Sequence, residues 1–272
     1  MLDELNDSLS IPYNKSKEDV WASLSRQIEN KPVKTRRLNY NKVRMVWAAA
    51  MIALLVGLGV LLRFYHYTVE AKPGQIANFF LPDGSEVILS AGSEATYYPL
   101  WWTYSRKVTL DGEAFFKVQK GKTFSVKSKR GITTVVGTSF DIYARRDNYR
   151  VVCYTGKVWV EAQNSKQKII LTPGEKAEIN TNGEILFSKT KNPGQYTAWT
   201  DNQFVFTSIP VQSVFNEMAR RFNVTITFEK PIEGNYTGNF PSDIPVEKAL
   251  EIVCKPFGLS FEKKAGHTYV IK

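Results

Sequence analysis

Covalent or acid–base chemistry in this chain would have to come from few residues: His66 and His267, Cys153 and Cys254, and acids such as Asp111, Glu113 and Asp141 among strand-like segments. Each thiol sits in an apolar stretch, VVCY or EIVCK, where a buried free thiol is the simpler reading, and no standard zinc constellation can then be assembled. A disulfide would require two modules to meet at those points, and nothing in the spacing asks for it. There is no glycine-rich phosphate loop, serine elbow or HExxH. A carboxylate pair is the remaining acid–base option, although solvated strand or turn acids explain Asp111, Glu113 and Asp141 more simply. The aromatic cluster Tyr97, Tyr98, Trp101, Trp102 and Tyr104 reads as a sugar-stacking platform or, more plainly, as a core corner or interdomain contact. The expectation is a protein that binds rather than catalyses, with no cofactor and no metal.

The binding chemistry is apolar and lies near the N-terminus. Val20, Trp21, Leu24 and Ile28 fall on one helical stripe between Ser16, which forms a capping-box-like start with Asp19, and Asn30–Pro32, which stops it. A helix over 16–30 is marginal alone in water, and the arm 1–44 is too short to bury a core, so the stripe wants a partner. Its acidic first turn argues against lying on anionic lipid.

Next comes a cationic block, Lys31, Lys34, Arg36, Arg37, Lys42 and Arg44, and then MVWAAAMIALLVGLGVLL, eighteen residues without a charge. At about 1.5 Å each these reach roughly 27 Å, close to a bilayer's hydrocarbon thickness. Arg44 and Arg63 bracket the run, with Trp47 and Tyr65 near its ends as interfacial aromatics would be. A cleaved signal peptide fits worse, because the cationic region is too long and no small-x-small site follows. A transmembrane helix over 45–63 is expected. The cations hold its N-terminal side in the cytoplasm, so residues beyond about 63 are exported. Much of the net charge of +10 therefore serves orientation in the bilayer, and with only Tyr40 interleaved the block is not expected to bind nucleic acid directly.

The exported part divides by pattern. A stalk over 64–75 leads to 76–190, where short runs rich in Val, Ile, Phe, Tyr and Thr alternate with the turn sequences Pro82-Asp83-Gly84-Ser85, Asp111-Gly112, Pro173-Gly174 and Asn182-Gly183. The runs include Glu86–Leu89, Lys107–Leu110, Ala114–Val118, Thr123–Lys127, Ser139–Ala144, Arg150–Tyr154, Lys157–Glu161, Lys168–Leu171 and Glu184–Phe187. An all-β, mostly antiparallel domain, sandwich- or roll-like, is predicted. After a linker at 191–198, residues 199–272 change to a small α+β pattern. Val211, Val214, Phe215, Met218 and Phe222 form one helical stripe, opened by Pro210 and stopped at Asn223. Val246, Ala249, Leu250 and Val253 form another, between Pro245 and Pro256–Gly258. Pro210, Val211, Phe215, Phe222, Val224 and Ile226 recur 35 positions later as Pro245, Val246, Leu250, Phe257, Leu259 and Phe261, which predicts two β-α-β halves and a closing strand at Thr268–Ile271.

Taken together, LPDGSEVILSAGSEATYYP (81–99), VTLDGEAFFKV (108–118), FSVKSKRGITTVVGTSFDIYA (124–144), VVCYTGKVWV (151–160) and LTPGEKAEI (171–179) resemble the FecR family of anti-sigma regulators. The form resembled is the Bacteroidetes type with an added C-terminal domain. Residues 204–272 are similar to the short β-α-β modules of secretins and TonB-dependent receptors, and 16–28 to the WxxL-containing cytoplasmic segment of that subgroup. The resemblance implies a line of three proteins. The signalling domain of a TonB-dependent outer-membrane transducer touches the periplasmic part, and the cytoplasmic arm changes its hold on an extracytoplasmic-function sigma factor. The alternative is a membrane-anchored periplasmic protein that binds or processes glycans, using Trp101, Trp102 and nearby carboxylates.

Overall fold

Serine and aspartate, placed where four helical N–H groups lack partners, start the first element. In the computed structural model, which describes residues 15–29 and 40–272, the Ser16 hydroxyl accepts from the Asp19 N–H at 3.2 Å and donates to its carboxylate at 2.9 Å. Helix α1 (Lys17–Glu29) follows, with none of its residues buried. Asn30 and Pro32, the expected stop, lie outside the described residues. Helix α2 (Tyr40–Phe64) is longer than the charge-free run, so Lys42 and Arg44 stand in its first turns. Its most apolar window has mean hydropathy 2.5 and no buried residue, unlike the core helix of a soluble domain, and its length is compatible with a single pass through a membrane. The described residues fall into two units, one ending at Val56 and the other running from Gly57 onwards.

Period-2 burial builds the β-domain. Its strands are β1 (Tyr67–Ala71), β2 (Ala77–Phe80), β3 (Glu86–Leu89), β4 (Ser93–Tyr97), β5 (Arg106–Lys117), β6 (Phe124–Lys127), β7 (Gly131–Val135), β8 (Ser139–Arg145), β9 (Asn148–Cys153), β10 (Val158–Ala162), β11 (Lys168–Leu171), β12 (Glu175–Ile179) and β13 (Ile185–Lys189). Two sheets share β5. One runs β1-β4-β5-β6-β7-β10-β11 and the other β2-β3-β5-β8-β9-β12-β13, with every pairing antiparallel except β5–β6. Val108, Leu110, Ala114 and Phe116 bury from the same strand, and Phe116 stacks on Phe140 with centroids 5.1 Å apart. Val108, Leu110 and Phe116 each contribute roughly 1.5–3 kcal/mol by burial.

Two expectations need correction here. Asp111-Gly112 is not a turn between strands. It is the point inside β5 where the chain leaves one sheet for the other, and the positive φ of Gly112 (+114°) makes the bend that a turn sequence signals equally well. The residues expected to be stalk hold β1, paired with β4 over five residues from Tyr67↔Tyr97 to Ala71↔Ser93. The polar segment after it is also anchored, because Gly74 N–H donates to the Arg220 carbonyl at 2.8 Å and Gly92 N–H to the Ala71 carbonyl at 2.8 Å.

The C-terminal module contains β14 (Gln203–Pro210), α3 (Val211–Phe222), β15 (Thr225–Phe228), β16 (Asn235–Pro241), α4 (Val246–Cys254), β17 (Phe261–Lys264) and β18 (Thr268–Ile271). Val211, Val214, Phe215 and Met218 of α3 bury against Ala249, Leu250 and Val253 of α4 in a second core. Pro210 and Pro245 stand at equivalent N-caps, and Asn223 closes α3 in the left-handed region (φ 52°). The two β-α-β halves are present in order, but the strands of a half do not pair with each other. The opening strands β14 and β16 form an antiparallel ribbon, while β15 and β17 flank β18 in a second sheet. Both cysteines are free and buried, one in each core.

Candidate functional site

The stripe on α1 is laid out as its spacing predicts. Trp21 is 73 % exposed, Leu24 44 % and Ile28 74 %, with Val20 partly covered. The capped helix therefore presents an apolar face with no described residue over it. Of the cations expected to set orientation, Lys42 and Arg44 lie on α2, where the Arg44 guanidinium is 5.1 Å from the Tyr40 ring centroid. Lys31, Lys34, Arg36 and Arg37 lie outside the described residues.

Sequence reasoning missed a charged cluster on the outer face of the sheet that contains β8. Register brings Glu113 opposite Tyr143, Tyr143 opposite Arg150 and Arg150 opposite Glu178, with Asp141 two residues along β8. In a lone sandwich this face would be wet. Here it is covered by Glu217 and Arg220 of α3 and by the connector residues Tyr196 and Trp199, around a cleft of about 470 Å³. Glu113 and Asp141 are consequently buried, which corrects the expectation of solvated acids; Asp111, on β5, is solvent-exposed.

Arg150 holds this cluster together. Its Nη2 lies 3.3 Å from Glu113 Oε1 and 3.8 Å from Asp141 Oδ2, and its guanidinium sits 4.9 Å from the Tyr143 ring and 4.6 Å from that of Tyr196. Burial, then the nearby Glu217, push Glu113 up against the pull of Arg150. Asp141 is raised well above the carboxylate range by burial and by Glu113, and neither of its oxygens has a partner at hydrogen-bond distance. Two acids thus face one central cation, and the pair holds protons that exposed carboxylates would release. Around them Arg145 donates to the carbonyls of Gly92 and Ala91 at 2.7 and 2.8 Å, and Arg220 pairs with Glu217. Arg150, stacked on Tyr196, ties the cluster to the connector, and the Glu217–Arg220 pair of α3 faces it across the cleft. The one signal for it in the sequence is the odd-numbered polar series Glu113, Asp141 and Tyr143, whose fate depends on what packs over it.

The aromatic cluster divides. Tyr97 and Trp102 enter the core, as a core corner should, while Leu100 and Tyr104 stand outside it and Trp101 is half-buried. No platform of five rings exists for a sugar. Among the described residues no group of three or more His, Cys, Asp or Glu is placed to hold a metal ion.

The model of the FecR protein family matches residues 67–159, and that of the FecR C-terminal region matches residues 203–271. A crystal structure of a provisionally assigned anti-sigma factor from Parabacteroides distasonis ATCC 8503 is similar at 27% identity and TM-score 0.70, covering 76% of this chain and 98% of that one. A second, also of a provisionally assigned anti-sigma factor from that organism, is similar at 26% identity and TM-score 0.69 with the same coverage. No curated protein matches the chain.

Proposed function

Because this chain belongs to the FecR family and is an anti-sigma regulator, we propose that it carries a signal from an outer-membrane TonB-dependent transducer to an extracytoplasmic-function sigma factor. In this reading α2 crosses the inner membrane, the cationic block keeps α1 in the cytoplasm, and residues from about 64 onwards face the periplasm. The sigma factor receives Val20, Trp21, Leu24 and Ile28 in an apolar groove. Burying those four side chains stabilises the complex by roughly 1.5–3 kcal/mol each before ordering costs. The transducer's signalling domain meets the C-terminal module, whose ribbon β14–β16 and sheet β15-β18-β17 have strand edges suited to strand addition. Movement of the module then reaches the rest of the chain through the Gly74–Arg220 hydrogen bond and the Arg150–Tyr196 stack at the connector.

The observation that carries this reading is the uncovered stripe on a capped helix separated from the folded domains by a charge-free span. The test is co-purification of the sigma factor with the full chain from membranes. The Trp21→Ala, Leu24→Ala double variant is expected to lose the sigma factor, and undiminished recovery would remove α1 from the mechanism. Deleting residues 203–272 should abolish induction; if induction survives, the sandwich is the sensor.

A further inference from the structure

Arg63 ends the span, and what it touches shares its depth. Its guanidinium lies 5.1 Å from the Trp101 ring centroid and 5.8 Å from those of Tyr98 and Phe64. An arginine at the end of a spanning helix stands at headgroup level, so a ring within about 5 Å of it lies inside the interfacial layer, where tryptophan and tyrosine concentrate. We propose that Leu100, Trp101 and Tyr104, with Phe64, Tyr65 and Tyr67, form a collar inserted in the headgroup boundary of the bilayer, so that the sandwich rests on the membrane surface.

This inference rests on the reading of α2 as a transmembrane helix, and three observations carry it further. First, the 98–105 loop turns these side chains outward. Pro99 opens a helical turn that sends Trp102 into the core at 4 % exposure and leaves Leu100 at 53 % and Tyr104 at 76 %. Second, the loop satisfies most of its own backbone N–H groups, as burial beside lipid favours. Trp101 N–H donates to Tyr98 O, and Tyr104 and Ser105 N–H both donate to Trp101 O, each at 3.1 Å. Trp101 and Tyr104 pack against each other with centroids 4.8 Å apart, so the pair is ordered without a further protein. Third, the exposed apolar surface is continuous with the lipid-facing end of the span, since Leu61, Phe64, Tyr65 and Tyr67 are all more than half exposed. The Lys122 ammonium, which donates to Thr103 O at 3.3 Å, adds a cation at the rim for lipid phosphate. These are the chemistries of an interfacial anchor.

The full chain reconstituted in phosphatidylcholine–phosphatidylglycerol vesicles tests it, with acyl chains brominated either close to the headgroup or close to the bilayer centre. The loss of emission due to Trp101 is the difference between the Trp47→Phe chain and the Trp47→Phe, Trp101→Phe chain. The expected result is that shallow bromines remove most of the Trp101 emission and deep ones little. Trp47, measured as the difference between the unaltered chain and Trp47→Phe, reports the span separately. Quenching of Trp47 without quenching of Trp101 would overturn the collar and leave the span standing. If neither is quenched, the transmembrane reading fails and the collar with it.

Discussion

Replacing Arg150 by methionine should weaken the attachment of the C-terminal module in a way that depends on pH. Methionine keeps an unbranched apolar stem between the rings of Tyr143 and Tyr196 but removes the only guanidinium contacting both Glu113 and Asp141. Breaking a buried ion pair from one side costs roughly 3–5 kcal/mol, and the two lost cation–ring contacts add about 0.5–1 each. The Arg150 side chain is 19% exposed, so the lower ends apply, about 4 kcal/mol in all. For a domain of this size that is about 8–16 °C in Tm, read by calorimetry on residues 64–272. The sign of the pH dependence follows from the acids. Without the cation both are pushed further up, so their folded forms bind protons more tightly than their unfolded forms do. The deficit should be small near pH 5, where both can be neutral, and full near pH 8. A deficit equal at the two ends, or none, would refute the assignment of Arg150 as the counter-ion.

In the unaltered protein Glu113 is raised by burial from its ordinary 4.5 to about 7. Its protonation therefore favours the fold at low pH, and that contribution is lost as pH rises through about 7. Glu113→Gln should flatten the stability profile between about pH 5 and 8 and leave the variant the more stable of the two at the alkaline end, as chemical denaturation at several pH values would show. Gly112→Ala places a methyl 2.4 Å from Ser93 Oγ and 2.7 Å from its Cα at a φ of +114°. Strain and overpacking of 1–3 kcal/mol apiece should cost about 3 kcal/mol and lower Tm in a thermal melt, and an unchanged Tm would mean β5 can cross between sheets elsewhere.

Much of this architecture can be read from residue order because local chemistry agrees with the final environment. Glu86–Leu89 and Lys168–Leu171 carry enough branched apolar residues to announce β3 and β11, and the α3 stripe is visible because each of its apolar positions meets the same core. Strands β4 and β12 are hidden. SEATY turns the small residues Ser93 and Ala95 inward, and EKAEI has only Ala177 and Ile179 in the core, so neither shows a hydrophobic period of its own. The carboxylates beside Arg150 are hidden from sequence reading for a different reason. Alternation correctly puts Glu113 on the outer face of its sheet, but only docking of α3 and Trp199 turns that face into an interior. By contrast Val20, Trp21, Leu24 and Ile28 are legible because their environment is the helix itself.

The hydrogen bond from Gly74 to the Arg220 carbonyl ties the segment after β1 to helix α3 of the C-terminal module. Tension applied to α3 enters the backbone three residues past β1, ten past the last turn of α2, without passing through the body of the two sheets. A tug on the module would shear β1 against β4 lengthwise, the direction in which paired strands resist most stiffly. The sandwich then serves as a rigid bracket beside the load line, and the helix feels the pull almost undamped.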